Sequence, residues 1–280
     1  MLLAFAVAVT KSTLVLHKLF TSHMVLQADQ PAQVFGWAAP KTVVTVALSD
    51  GTSATATSAD DGRWLATLAS RPASTSPMTL TVSDNPSSAP PLVLDDVLRG
   101  DVWLCSGQSN MEFSVANDFD RAAIIASAGE HAAGLRLFAV QKNTSHDGAG
   151  APHPGADVID VQQGGWVPST TANVCGSEYD ANKTSFCEAH CGPSATVHSF
   201  ARNTWGYFSA VCYLHGRALW QATGRPQGLL ESCWGGQTIE SFSSAEASAR
   251  CGGGGKAGDH YTAMIQPLLN FGIKGAVWCA

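Results

Sequence analysis

The 280-residue chain is short of charge: Asp, Glu, Lys and Arg make up only 14% of it, and the formal net charge is −6. No two Lys or Arg residues are adjacent, so the chain lacks the basic footprint that nucleic acid requires, and no nucleic-acid partner is expected. Long apolar runs are missing too. The longest covers residues 2–9, about half of what crosses a bilayer core, which predicts no membrane span. The basic residue that normally precedes a secretory apolar segment is absent, and Lys11 follows it instead, so residues 1–19 stand as a candidate leader and no more. With 45% hydrophobic residues the chain has enough apolar surface for one large core or two moderate ones.

Cysteine, by contrast, is plentiful, with eight residues. Cys175, Cys187 and Cys191 fall in a polar stretch where cross-links would order a loop. Cys187 and Cys191 enclose His190, but without a second pair at matching spacing this is a poor zinc pattern, so disulfides are expected and no metal. The sequons Asn143-Thr144-Ser145 and Asn182-Lys183-Thr184 lie in similarly polar stretches. Cysteines and sequons together point to a secreted or lumenal glycoprotein.

Between residues 34 and 97, short β-branched runs alternate with turn residues such as Asp50-Gly51 and Asp61-Gly62, which predicts a small antiparallel β-sandwich over 20–98. After Gly100 the rhythm becomes strand, helix, strand: strands at 102–105, 135–140, 228–230 and 273–278, and helices at 119–133, 207–222 and 261–269. Residues 99–280 are therefore expected to form an α/β domain, a parallel sheet with flanking helices, interrupted by a loop-rich insertion at about 142–203.

Within Gly100-Asp101-Val102-Trp103-Leu104-Cys105-Ser106-Gly107-Gln108-Ser109-Asn110-Met111-Glu112, a strand runs into a glycine turn. Such a turn presents Ser109 at the carboxyl edge of the sheet, where a serine is accessible and a backbone N–H is at hand for an oxyanion; it is equally the composition of a polar turn that caps a helix. Gly235-Gly236 after the 228–230 strand is a second place where bare backbone can approach a ligand, or simply turn.

The segment 100–111 resembles the first signature block of the sialate O-acetylesterases, SGNH-type serine esterases in which Gly-Gln-Ser-Asn stands where other SGNH hydrolases have Gly-Asp-Ser. Three further segments resemble the same family in the same order: Phe20-Thr21-Ser22-His23-Met24-Val25-Leu26-Gln27; Ser232-Cys233-Trp234-Gly235-Gly236-Gln237-Thr238-Ile239-Glu240; and Ala263-Met264-Ile265-Gln266-Pro267-Leu268 leading to Lys274-Gly275-Ala276-Val277-Trp278. The resemblance implies an SGNH-like fold, Ser109 as nucleophile, and an oxyanion held by the N–H groups of Ser109 and of Gly236 in preference to Gly235. It also implies O-acetylated sialic acid or another acetylated glycan as substrate, with no cofactor. Gln108, Trp234 and Glu240 become candidate sugar contacts, each with a plain structural alternative: a turn residue, a core aromatic and a surface helix residue.

The family pattern continues into a Tyr-Gln-Gly-Glu-Ser-Asn block and, later, an Asp-x-x-His pair that supplies the base. Here Trp278 is followed by Cys279-Ala280, and Asp-x-x-His spacing occurs nowhere. None of the nine histidines is an evident substitute; His260 directly follows Asp259, so those side chains are expected to diverge. The sequence thus reads as a C-terminally truncated, nearly inactive esterase with an incomplete sheet. The competing reading is a carbohydrate-binding pseudoenzyme; a thiol hydrolase using Cys105 or Cys233 ranks last, because both sit in strand positions that suit buried thiols.

Overall fold

The computed structural model describes residues 14–85, 90–115, 118–142, 164–175, 208–252 and 258–280. The N-terminal part is a β-sandwich. One sheet contains β1 (Val15–Leu16), β3 (Ala32–Trp37) and β6 (Arg63–Leu68), all antiparallel. Facing it are β4 (Val43–Leu48), β5 (Ser53–Thr57), β7 (Ser74–Asn85) and the first half of β8 (Leu92–Gly107). Period-2 burial drives this arrangement: Val34, Val44, Val46, Leu48, Trp64, Ala66, Leu68, Leu80 and Val82 all point inward, while their neighbours along each strand face out. β2 (Val25–Gln27) lies parallel to β8.

β8 then continues into a parallel sheet. Its second half is flanked by β11 (Gln227–Cys233) on one side and β12 (Gly275–Cys279) on the other, both parallel to it. β9 (Leu135–Ala139) lies beyond β11, and the short antiparallel β10 (Val167–Pro168) completes that side. This mixed α/β sheet with a small antiparallel sheet beside it is the expected fold class. The boundary expected at 98/99 falls inside β8, and one core joins Val46 and Val97 of the sandwich to Phe138, Leu230 and Met264 of the α/β part.

Helices cover the parallel sheet: α1 (Ser109–Glu112), α2 (Arg121–Ala126), α3 (Thr171–Cys175), α4 (Ala210–Thr223) and α5 (Ala245–Arg250). In α4, Ser209 caps the N-terminus by accepting from the Cys212 N–H, and Gly224 closes the other end with a left-handed φ of 64°. Its Gly216 has no room for a side chain, because a Cβ there would meet Leu229 of β11 at 2.6 Å. A disulfide between Cys105 and Cys212 ties β8 to this helix.

Several expectations need adjustment. The helix expected at 119–133 is shorter, with α2 followed by a 3₁₀ turn at Ala128–His131. The one expected at 261–269 is a π turn at Tyr261–Ile265 running into a 3₁₀ turn, since Pro267 cannot donate to a continuing α-helix. Part of the polar stretch 142–203 is built onto the sheet: Trp166 is buried, donates its indole N–H to the Leu19 carbonyl at 2.8 Å and packs on Phe138. Cys187, Cys191, His190 and both sequons lie outside the described residues, as does the side chain of Cys175.

β8 ends at Gly107, whose φ is +143° and whose missing Cβ makes room for the Cys279 carbonyl; a Cβ would sit 1.9 Å from that oxygen. Gly107→Ala is expected to cost at least about 2 kcal/mol in urea unfolding, because it adds both strain and a backbone clash.

Candidate active site

The turn after β8 is stitched between the ends of its two neighbours. The Gln108 N–H donates to the Cys279 carbonyl of β12 at 3.0 Å, and the Gly107 carbonyl accepts from the Trp234 N–H, just past β11, at 3.1 Å. Because β8 precedes both flanking strands, and they lie on opposite sides of it, its carboxyl end is the switch point of the sheet, where α/β folds leave a crevice. Ser109 stands there, solvent-exposed, as the first residue of α1. Met111 anchors that turn from below, fully buried, and the Asn110 side chain donates to the Ala280 carbonyl at 2.7 Å.

Gly235 comes to rest against the serine: a Cβ on Gly235 would lie 3.4 Å from both Cα and Cβ of Ser109. Its N–H is already engaged, donating to Glu112 Oε2 at 2.5 Å, and the other oxygen of Glu112 takes the Lys142 ammonium. Gly236, with φ of +76° and open space around its Cα, is exposed, and its N–H meets no backbone acceptor among the described residues. The sequence-derived set therefore separates. Ser109, Gln108, Gly235 and Gly236 converge. Trp234 is half-buried, packed against the core with its ring edge-on to His260 at 4.7 Å and Lys142 Nζ 5.6 Å from the ring centroid. Glu240 bonds to Thr238 within its own turn, and that hydrogen bond holds its carboxyl below the usual range.

The described histidines pack against residues other than Ser109. His17 lies buried beside Phe35 and Trp37, His215 meets Trp103 edge-on at 4.7 Å, and His260 is enclosed by Trp234 and Phe242. His131 is buried in its 3₁₀ turn. A His–Asp pair does exist, His23 Nδ1 to Asp96 Oδ2 at 2.8 Å, with Asp96 also accepting from Arg136. Arg136 is in register with Gly228 and hence with Val102, seven residues before Ser109, which puts this pair about 23 Å away at the opposite end of the sheet.

No family model matches the chain. Sialate O-acetylesterases from Pongo abelii and Homo sapiens are each 30% identical to it over 200 residues, which is 67% of this chain and 32% of theirs; the one from Mus musculus is 26% identical over 226 residues. A carbohydrate acetylesterase from Xanthomonas citri has the same fold, with a TM-score of 0.71 and 30% identity over 94% of this chain and 50% of that one.

The chain belongs to the sialate O-acetylesterase family.

It spans about a third of the length of the curated family members it matches. What this family member carries beneath its serine turn was not read from the sequence. Glu231 of β11 is buried, accepts from the Ser209 N–H at 3.0 Å and from the Cys233 thiol at 3.4 Å. Burial pushes its carboxyl up to about 7, against the lowering effect of those hydrogen bonds. The Cys233 thiol is driven well above its ordinary range by the same burial and by Glu231, which makes it a poor nucleophile. Cys105, expected to be a buried thiol, is instead in the disulfide, because α4 crosses the sheet directly over it. The signals were visible: Glu231 is the single charge in an apolar strand, and Glu112 stands three residues after Ser109, one helical turn on.

Because the folded pKa of Glu231 is raised above the reference 4.5 to about 7, the folded chain keeps a proton that the unfolded chain releases. The stability it contributes is full below pH 4.5 and is lost as pH rises through 7, by about 3 kcal/mol in all. Glu231→Gln, compared with the parent by urea unfolding at pH 5 and pH 8, is expected to flatten that slope.

Proposed function

We propose that this chain carries the nucleophile and two oxyanion donors of a carbohydrate O-acetylesterase. The supporting observation is the exposed Ser109 at the switch point, in contact with a glycine pair whose second N–H is open. Ser109 Oγ attacks the acetyl carbonyl, and the N–H groups of Ser109 and Gly236 hold the oxyanion. The sugar alcohol then leaves, and water releases acetate from the acetyl-serine. Glu112, by holding the Gly235 N–H, fixes the turn so that Gly236 presents its own. O-acetylated sialic acid is the substrate suggested by the names of the relatives, and other acetylated glycans share the same ester chemistry. Gln108, Trp234 and Glu240 are the proposed sugar contacts, and of these Gln108 adjoins Ser109 in the turn. The Cys105–Cys212 disulfide supports a secreted or lumenal location.

Slow turnover is part of this proposal: no described histidine hydrogen-bonds to Ser109, and a serine without a base is a weak nucleophile. Acetate release from O-acetylated sialic acid is expected to fall within about tenfold of a Ser109→Ala control, since triad-deficient hydrolases retain only serine-independent catalysis. Added imidazole should raise the rate of the parent chain and leave Ser109→Ala at the rate of imidazole alone. Saturable binding with no imidazole-assisted, Ser109-dependent release would favour a non-catalytic carbohydrate binder.

A further inference from the structure

Far from the serine, the β-sandwich holds a cationic cleft that the esterase chemistry does not use. Arg99 of β8 has a side chain only 1% exposed, and its Nε donates to Asp50 Oδ2 at 3.2 Å. The two terminal nitrogens of its guanidinium are buried and meet no acceptor among the described residues. Arg99 lines a cleft of about 430 Å³ together with Arg71, whose Nε is bound to Thr52 Oγ1 and whose charge acts unfavourably on Arg99. Two guanidinium groups thus line a cleft that holds a single carboxylate, Asp50, and that carboxylate is bonded to Arg99.

The remaining walls add serine hydroxyls beside Pro72, Pro77 and Met78. Ser49 Oγ accepts from the Thr79 N–H and Ser74 Oγ from the Ser76 N–H, and both serines line the cleft with a hydroxyl hydrogen available to a ligand. Ser74 is in register with Arg99, and the irregular pairing of β7 between Ser74 and Met78 draws this segment away from a flat ladder. A buried guanidinium with two unbonded nitrogens is costly unless an acceptor reaches it. Positive charge in excess of the one carboxylate, with hydroxyl hydrogens beside it, is what an oxyanion needs.

We propose that this cleft is an oxyanion-binding site, with Arg99 as its floor and Arg71 at its rim, taking a carboxylate or a tetrahedral oxyanion. Arg99 lies eight residues before Gly107, about 26 Å from the serine turn along β8, so a ligand held here is not the ester under attack. Two sources offer this chemistry: a free inorganic oxyanion, or the carboxylate of an acidic sugar.

The test is isothermal titration of the full chain at constant ionic strength with inorganic phosphate, N-acetylneuraminate and, as a neutral control, galactose. Arg71→Ala is the main variant, because Arg71 is at the surface and its loss should leave the fold intact; Arg99→Gln is secondary, since it alters a buried ion pair. Saturable binding of phosphate or N-acetylneuraminate that weakens at least tenfold in Arg71→Ala supports the site. Phosphate alone would mark an inorganic ligand, and N-acetylneuraminate an acidic sugar. Absence of saturable binding by either anion, or equal binding by the parent and Arg71→Ala, would overturn it.

Discussion

Backbone hydrogen bonding along both edges of β8 is the constraint on which the rest of this structure depends. The strand pairs with β7 and β2 over its first half and with β11 and β12 over its second, so no stretch of it between residues 97 and 107 is left as a bare edge. The sandwich and the α/β sheet are therefore two ends of one hydrogen-bonded element. Side-chain bonds reinforce the junction: Gln27 accepts from the Val102 N–H at 2.8 Å, and Asp101 receives two bonds from Arg225. The serine turn inherits this rigidity, since Gly107 and Gln108 are bonded to the ends of both neighbouring strands.

Charge is scarce in the sequence, and the structure spends much of it at interior or half-buried points. Asp96 with Arg136, Asp101 with Arg225, and Glu112 with Lys142 each tie segments distant in sequence. Pairs of this kind define position more than they add stability, because desolvation offsets much of the attraction. Glu112 is the case that matters chemically, as its two oxygens hold the Gly235 N–H and Lys142 at once. Beneath it, the proton kept by Glu231 near neutral pH spares the site a second buried negative charge close to the first.

Most of the scaffold was legible in the sequence because its signals are local. The alternation in 43–48 and 63–68 gives β4 and β6 residue for residue, and the strand-to-glycine turn locates Ser109. Where signals depend on distant partners, the reading fell short. β5, Ser-Ala-Thr-Ala-Thr, lacks large apolar residues and is a strand only because β4 supplies its ladder. β1 and β2, of two and three residues, are too short to register as runs. The pairing of Cys105 with Cys212 spans 107 residues and leaves no trace in spacing. Glycine turns showed where Ser109 stands; the carboxylate that holds Gly235 became visible only once β11 was laid beside β8.

The central claim is that the sandwich and the serine-bearing sheet are one cooperative unit joined through β8. Native-state hydrogen exchange along that strand tests it most directly. The account predicts that paired amides from 97 to 107 exchange together in the slowest class, through global unfolding, with the same dependence on denaturant. Two separate classes, divided near residues 99–101, would contradict it and would mean that the serine turn is held by the parallel sheet alone.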